Sequence, residues 1–182
     1  MLSVKHHLPQ FQLAGLWRGL YPHHGDETIR LRYSRDDPNR LIATKVTGDD
    51  HVPRGEVTFT ADLLDVLPNS PQRTVVRRLS SGAESEHLVT RYTGSGQVAT
   101  KGFTDPCFVE GELFMFDTET VGFMWVPFGQ LILFSRVDGP EAEIIEEQLD
   151  SARTSDSDSM VIEGSGDWWA YDEIFGVDGG TL

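Results

Sequence analysis

Ten short segments rich in β-branched and aromatic residues, each closed off by turn-forming residues, constrain this 182-residue chain more than anything else in it. They lie at 16–21, 28–33, 41–46, 56–61, 74–79, 87–92, 96–100, 112–117, 120–126 and 130–136. None is long enough for a typical helix, and their composition suits a pleated surface. Several alternate cleanly: Ile29, Leu31 and Tyr33 against Thr28, Arg30 and Arg32, and Val57, Phe59 and Ala61 against Thr58 and Thr60. A period of two gives each strand one buried face and one wetted face. The separators are turn or loop formers: His24-Gly25-Asp26, Asp36-Asp37-Pro38-Asn39, Thr47-Gly48-Asp49-Asp50, Pro53-Arg54-Gly55 and Gly94-Ser95-Gly96. The expected fold is all-β: a closed antiparallel β-barrel of about ten short strands, because closure removes exposed edges. Residues 62–73 read as a short helical turn and a loop.

Charge divides the chain unevenly. Residues 1–137 carry 16 acidic and 14 basic side chains, a net of −2; residues 138–182 carry 13 acids against Arg153 alone, a net of −12, which together make the −14 of the whole. The expected organisation is an N-terminal extension at 1–14, a binding barrel at 15–137, a docking amphipathic helix at 138–152 and an acidic, flexible tail at 153–182. Gly139-Pro140 with Glu141 and Glu143 supplies the helix start, with proline and acids in the first turn. The tail carries an aromatic cluster, Trp168, Trp169, Tyr171, Ile174 and Phe175, which either covers the barrel mouth or anchors a partner. An acidic tail repels phosphate, so no nucleic-acid partner is expected for it. No segment is long and apolar enough to span a bilayer, and the first residues lack a secretory pattern, so no membrane association is expected.

Catalytic motifs are missing from the pattern: no nucleophile elbow, phosphate loop or His-Glu-x-x-His helix is legible, and the chain is expected not to be an enzyme. No cofactor is implied. His23, His24, His51 and Cys107 are the best metal lead, but adjacent strand residues face opposite ways, and no metal is expected. Cys107 reads as a buried, inert thiol. The loop Thr47-Gly48-Asp49-Asp50-His51-Val52-Pro53 has two readings: a strand connection in which Asp49 bonds local amides, or a set of groups at a barrel mouth. In the second, Asp49 accepts hydrogen bonds from a ligand amide and Lys45 meets a carboxylate. Trp17, Phe103, Phe123, Trp125 and Phe128 read first as barrel filling. Trp125 is the best functional aromatic among them, because Pro127-Phe128-Gly129 bends the chain beside it.

Five ordered blocks carry a family resemblance: Gly15 to Gly25; Ala43 to Asp49 with Val52 to Gly55; Tyr92 to Gly96; Gly102 to Pro106 with Gly111 to Leu113; and Val121 to Trp125 running on to Leu133–Val137. Residues 15–137 thereby resemble the cyclin-D1-binding domain known from F-box only protein 31, and with it the singlet-oxygen-sensing domain of the chloroplast EXECUTER proteins and plant F-box relatives. The resemblance implies a β-barrel substrate receptor of a ubiquitin ligase that captures a protein or peptide C-terminus, including amidated ends. It implies a peptide site among Thr47, Asp49, Phe103 and Trp125, to which the loop and rim readings above add Lys45 and Phe128. The 14 residues before Gly15 do not hold an F-box, so a link to the Skp1/cullin system is expected only if an F-box is supplied elsewhere. Two alternatives stand beside this. One is a singlet-oxygen sensor working through an oxidisable Trp125; the other is a lipocalin-like small-ligand binder, suggested by Gly15-Leu16-Trp17. The expected location is cytoplasmic or nuclear, with the chloroplast as the alternative.

Overall fold

A computed structural model describes residues 8–21, 25–77 and 84–157. Among them nine strands form: β1 (Gly15–Tyr21), β2 (Gly25–Tyr33), β3 (Arg40–Lys45), β4 (Val57–Val66), β5 (Gln72–Arg77), β6 (Glu84–Thr100), β7 (Thr104–Met115), β8 (Thr120–Trp125) and β9 (Gln130–Val137). Every pairing is antiparallel, in the order β4-β3-β2-β1-β9-β8-β7-β6, and β4 pairs back onto β6 through Phe59↔Gly96 and Ala61↔Gly94. That last pairing closes an eight-stranded barrel. β5 lies outside the ring and pairs with β6 alone, from Gln72↔Val89 to Arg77↔Glu84.

The alternation read from sequence is the pleat of this wall. Ile29 and Leu31 of β2, Leu41 and Ala43 of β3 and Ile132 and Phe134 of β9 point inward and are buried, while Leu131 and Leu133 face out. The rings of Phe59 and Phe123 stack in the middle with centroids 4.1 Å apart, and Trp125 meets Phe123 edge-on at 4.8 Å. Trp17 and Phe134 complete this aromatic centre, both fully buried.

The structure corrects the strand reading in four places. Gly94-Ser95-Gly96 is not a turn: it lies inside β6, so the segments 87–92 and 96–100 are one strand. These glycines serve close approach, since a methyl group at either Gly94 or Gly96 would stand 2.9 Å from the Phe123 ring. Residues 62–66 continue β4 and β5 begins at Gln72, so the expected helical turn at 62–73 does not form. β7 starts at Thr104, well before the expected 112, as a ribbon with the far end of β6. Its first residues therefore have no barrel interior behind them, and Cys107 is exposed where burial was expected.

Within residues 8–14 of the expected extension, Leu13 joins the barrel core and Phe11 packs against it. Leu13 is completely buried and its carbonyl accepts the Trp17 Nε1–H at 2.9 Å. Close contacts group the chain into two compact units, one ending at Ala142 and one beginning at Glu143. The helix α1 (Gly139–Ser157) begins near the expected Pro140 and runs past the expected end at 152. No helix among the described residues is long and apolar enough to cross a membrane. The tail cluster from Trp168 to Phe175 lies outside the described residues, as do His23 and His24.

Candidate functional site

One end of the barrel holds a cavity of about 250 Å³ beside the β3–β4 loop. Its charged floor follows from strand phase. On β3 the inward positions are Leu41, Ala43 and Lys45; on β2 they are Glu27, Ile29 and Leu31. Ile29 sits directly opposite Lys45, so Glu27 and Lys45 become close inward neighbours near the mouth. The Lys45 side chain is only 1% exposed. Its ammonium lies 3.0 Å from Asp49 Oδ2, 3.4 Å from Glu27 Oε2 and 3.8 Å above the Tyr21 ring.

A buried ion costs several kcal/mol unless partners surround it, in order-of-magnitude terms about as much as a whole domain can spare. Here the partners are complete. Glu27 Oε2 also accepts the Gly48 N–H at 3.0 Å and the Thr47 hydroxyl. Asp49 Oδ1 accepts the N–H groups of His51 at 2.7 Å and Val52 at 2.9 Å. Burial alone would raise the Asp49 carboxyl, but the amides of Val52 and His51 together with Lys45 more than offset it and hold it below the ordinary carboxylate range. Burial dominates at Tyr21 and pushes its phenol well above the usual value. Two carboxylates and one ammonium leave the cage with a formal charge of −1.

The walls are apolar and amide-bearing. Trp125 is 5% exposed and donates its Nε1–H to the Gln97 carbonyl at 3.2 Å. The side-chain Oε1 of Gln97 is buried with no hydrogen-bond partner. Phe128, in the 3-10 turn Val126–Phe128 directly after β8, is 61% exposed at the rim. Gly129 ends that turn with φ +60°, a left-handed conformation suited to glycine, which lets β9 start back down the wall at once.

Of the six residues expected to form a site, Lys45, Asp49, Trp125 and Phe128 line this one cavity. Thr47 does not. It stands behind the cage, its hydroxyl donating to Glu27 and accepting the Thr28 N–H at 3.0 Å. Phe103 is also outside the wall, on the β6–β7 turn, where its N–H reaches the Asp50 carbonyl at 3.3 Å. The two readings of the Asp49 loop coincide, because the carboxylate that bonds its own loop amides also faces the cavity. Lys45 meets the protein's own carboxylates rather than standing ready for one from a ligand.

Sequence reasoning missed Glu27, Tyr21 and Gln97, whereas His51 lines the cavity with the loop that was expected at the mouth. Glu27 had a usable signal: it shares the inward phase of Ile29 and Leu31, and an acid at such a position asks for a buried cation nearby. Gln97 had none, since it was read only as part of a short strand at 96–100 that follows a turn. Among the described residues no group of three or more His, Cys, Asp and Glu side chains is arranged to hold a metal ion.

Comparison with known proteins gives a consistent picture. The family described as "Cyclin D1 binding domain" matches residues 5–141. Protein EXECUTER 2, chloroplastic, of Oryza sativa subsp. japonica is 30% identical over 150 residues, covering 70% of this chain and 22% of that protein. Protein EXECUTER 1, chloroplastic, of Arabidopsis thaliana is 32% identical over 99 residues, covering 50% of this chain and 14% of that protein. F-box only protein 31 of Rattus norvegicus is 22% identical over 214 aligned positions, covering 74% of this chain and 42% of that protein. The chain thus spans about a fifth of the length of its EXECUTER 2 relative and less than half of its F-box relative.

Proposed function

The chain belongs to the Cyclin D1 binding domain family, and on that premise we propose that it is a non-catalytic binding module whose open barrel end captures the C-terminal end of a protein or peptide. The observation that carries this reading is a cavity at one end of the barrel, lined by Asp49, Trp125 and Phe128, while Phe59, Phe123 and Trp17 are buried in the barrel core. A chain end fits a space of this size more readily than an internal segment, which would have to enter and leave again. Size points the same way: about 250 Å³ lies below the roughly 300–1,000 Å³ of most small-molecule pockets. One or two terminal residues fit.

The form of the end follows from the charges. A free carboxylate would enter a cage that already carries −1 and whose one ammonium is engaged twice. A primary amide is neutral and brings two N–H donors to a cavity that Gln97 and Asp49 both line. A buried acceptor such as the Gln97 side-chain oxygen, left without a partner, penalises other ligands. In its family setting the bound protein is a client for ubiquitin-dependent degradation, with Skp1 and a cullin reached only through an F-box supplied elsewhere.

Fluorescence anisotropy with one peptide sequence, presented with an amidated end, a free acid end, or embedded internally, tests the reading. The expected order is amide, then acid, then internal. Equal binding of all three removes the proposal. Tighter binding through a free N-terminal amine, abolished by acetylation, would replace it with capture of the opposite chain end.

A further inference from the structure

His51 lines the cavity on the same loop as Asp49, its backbone N–H held by the Asp49 carboxylate at 2.7 Å and its Nδ1 3.8 Å from Asp49 Oδ1. Two anchors fix this loop in place. Asp49 N–H bonds the Val52 carbonyl at 3.0 Å, and the Asp50 carbonyl accepts the Gly102 N–H of the β6–β7 turn at 2.7 Å. The imidazole lies beside the cage with its Nδ1 buried, while the side chain as a whole is 41% exposed.

Resting on the peptide-end reading, we propose that His51 is a specificity-determining residue whose charge decides how strictly the cavity prefers a neutral chain end over a carboxylate. The charge count is simple. With His51 neutral, Glu27 and Asp49 outnumber Lys45 and the cavity stands at −1. With His51 protonated, two cations face two carboxylates and the cavity is neutral. A carboxylate end entering the first site is repelled by a net charge that is absent in the second. An amide end is indifferent to the change.

The other groups around His51 do not supply the same switch. Asp50 and Lys101 pair with each other at 3.5 Å, and both are largely exposed. From β3 comes Lys45, from β2 Glu27 and from β1 Tyr21, whose phenol burial holds protonated throughout the range concerned. Asp49 is held ionised by its amides and Lys45. Imidazole is the side chain whose ordinary range crosses pH 5 to 8. The peptide's own carboxyl, with a value of about 3.3–3.7, stays ionised across that interval. A pH dependence in the ratio of the two affinities therefore reports the protein.

The test measures dissociation constants for amide- and acid-ended versions of one peptide from pH 5 to 8, with the wild type, His51→Gln and His51→Lys, after thermal melts show that each is folded. The wild type is expected to prefer the amide at pH 8 and to lose roughly three- to tenfold of that preference by pH 5, the scale of one partly screened charge. His51→Gln should hold the high-pH preference throughout, and His51→Lys should show the relaxed preference even at pH 8. A flat wild-type ratio overturns the proposal, and so does a slope retained in His51→Gln. If neither end binds better than the internal peptide, the peptide-end reading itself has failed. End-selective binding without a pH slope sinks only the role of His51.

Discussion

The two ends of this barrel are built from the same strands and solve opposite problems. On β1, Trp17 and Tyr21 share the inward face four residues apart, roughly 13 Å along the strand. Around Trp17 the barrel is plugged. Leu13 fills the opening, and Tyr33 Oη ties the incoming segment down by accepting the Leu13 N–H at 2.8 Å and donating to the Gln10 carbonyl at 3.0 Å. Arg136 lies 4.5 Å over the Trp17 ring and donates to the carbonyls of Gln12, Ala14 and Thr118. Its charge is used to satisfy backbone. Around Tyr21 no segment among the described residues fills the opening. The cation there, Lys45, neutralises buried carboxylates, and Gln97, whose side-chain oxygen is buried without a hydrogen-bond partner, lines the space. The lesson is that, among the described residues, one end is filled by the chain's own segment while the other keeps a cavity.

Removing the cage cation should break this contrast most strongly. Lys45→Met leaves Glu27 and Asp49 facing each other without a counter-ion, and breaking a buried pair in this way costs about 3–5 kcal/mol. Urea unfolding should show that loss, and pairing the change with Glu27→Gln should recover much of it. If Lys45→Met is as stable as the wild type, the cage is not the buried electrostatic unit described here.

At the plugged end, Leu13→Ala should cost about 2–5 kcal/mol through the cavity it opens. The same measurement made on peptide affinity should show no change for the folded fraction. An altered preference for chain ends would mean that the two ends are coupled through the core, against the independence drawn above.

The smallest effect sharpens the comparison at the rim. Phe128→Ala removes an exposed ring, so stability should shift by no more than about 0.5 kcal/mol. Peptide affinity should fall by about 1–2 kcal/mol if Phe128 packs on the residue preceding the terminus. Isothermal titration would separate the two quantities, and unchanged affinity would take Phe128 out of the site.

Much of the wall was legible because alternation is local. Ile29-Leu31 and Val57-Phe59-Ala61 show their buried face without knowledge of any partner strand. The misreadings came where a residue's job depends on a distant one. Gly94 and Gly96 look like turn formers until the Phe123 ring is placed against them, and Cys107 looks buried until β7 is seen to outrun the wall. The site divides in the same way. Asp49 stood out because a Gly-Asp-Asp loop is unusual in itself. Glu27 did not, since its partner lies on another strand and only the β2–β3 register brings the two together.

What the sequence determined by itself is the two-faced strand and the places where most strands turn, because both depend on neighbours within a few residues. The tertiary structure decided that the β4–β6 pairing closes the ring, that Leu13 seals one end, and that Lys45 is enclosed between Glu27 and Asp49. Each of these is a contact between segments far apart in the chain. A buried charge is stable or ruinous according to what the fold brings beside it, and no local pattern of residues carries that information.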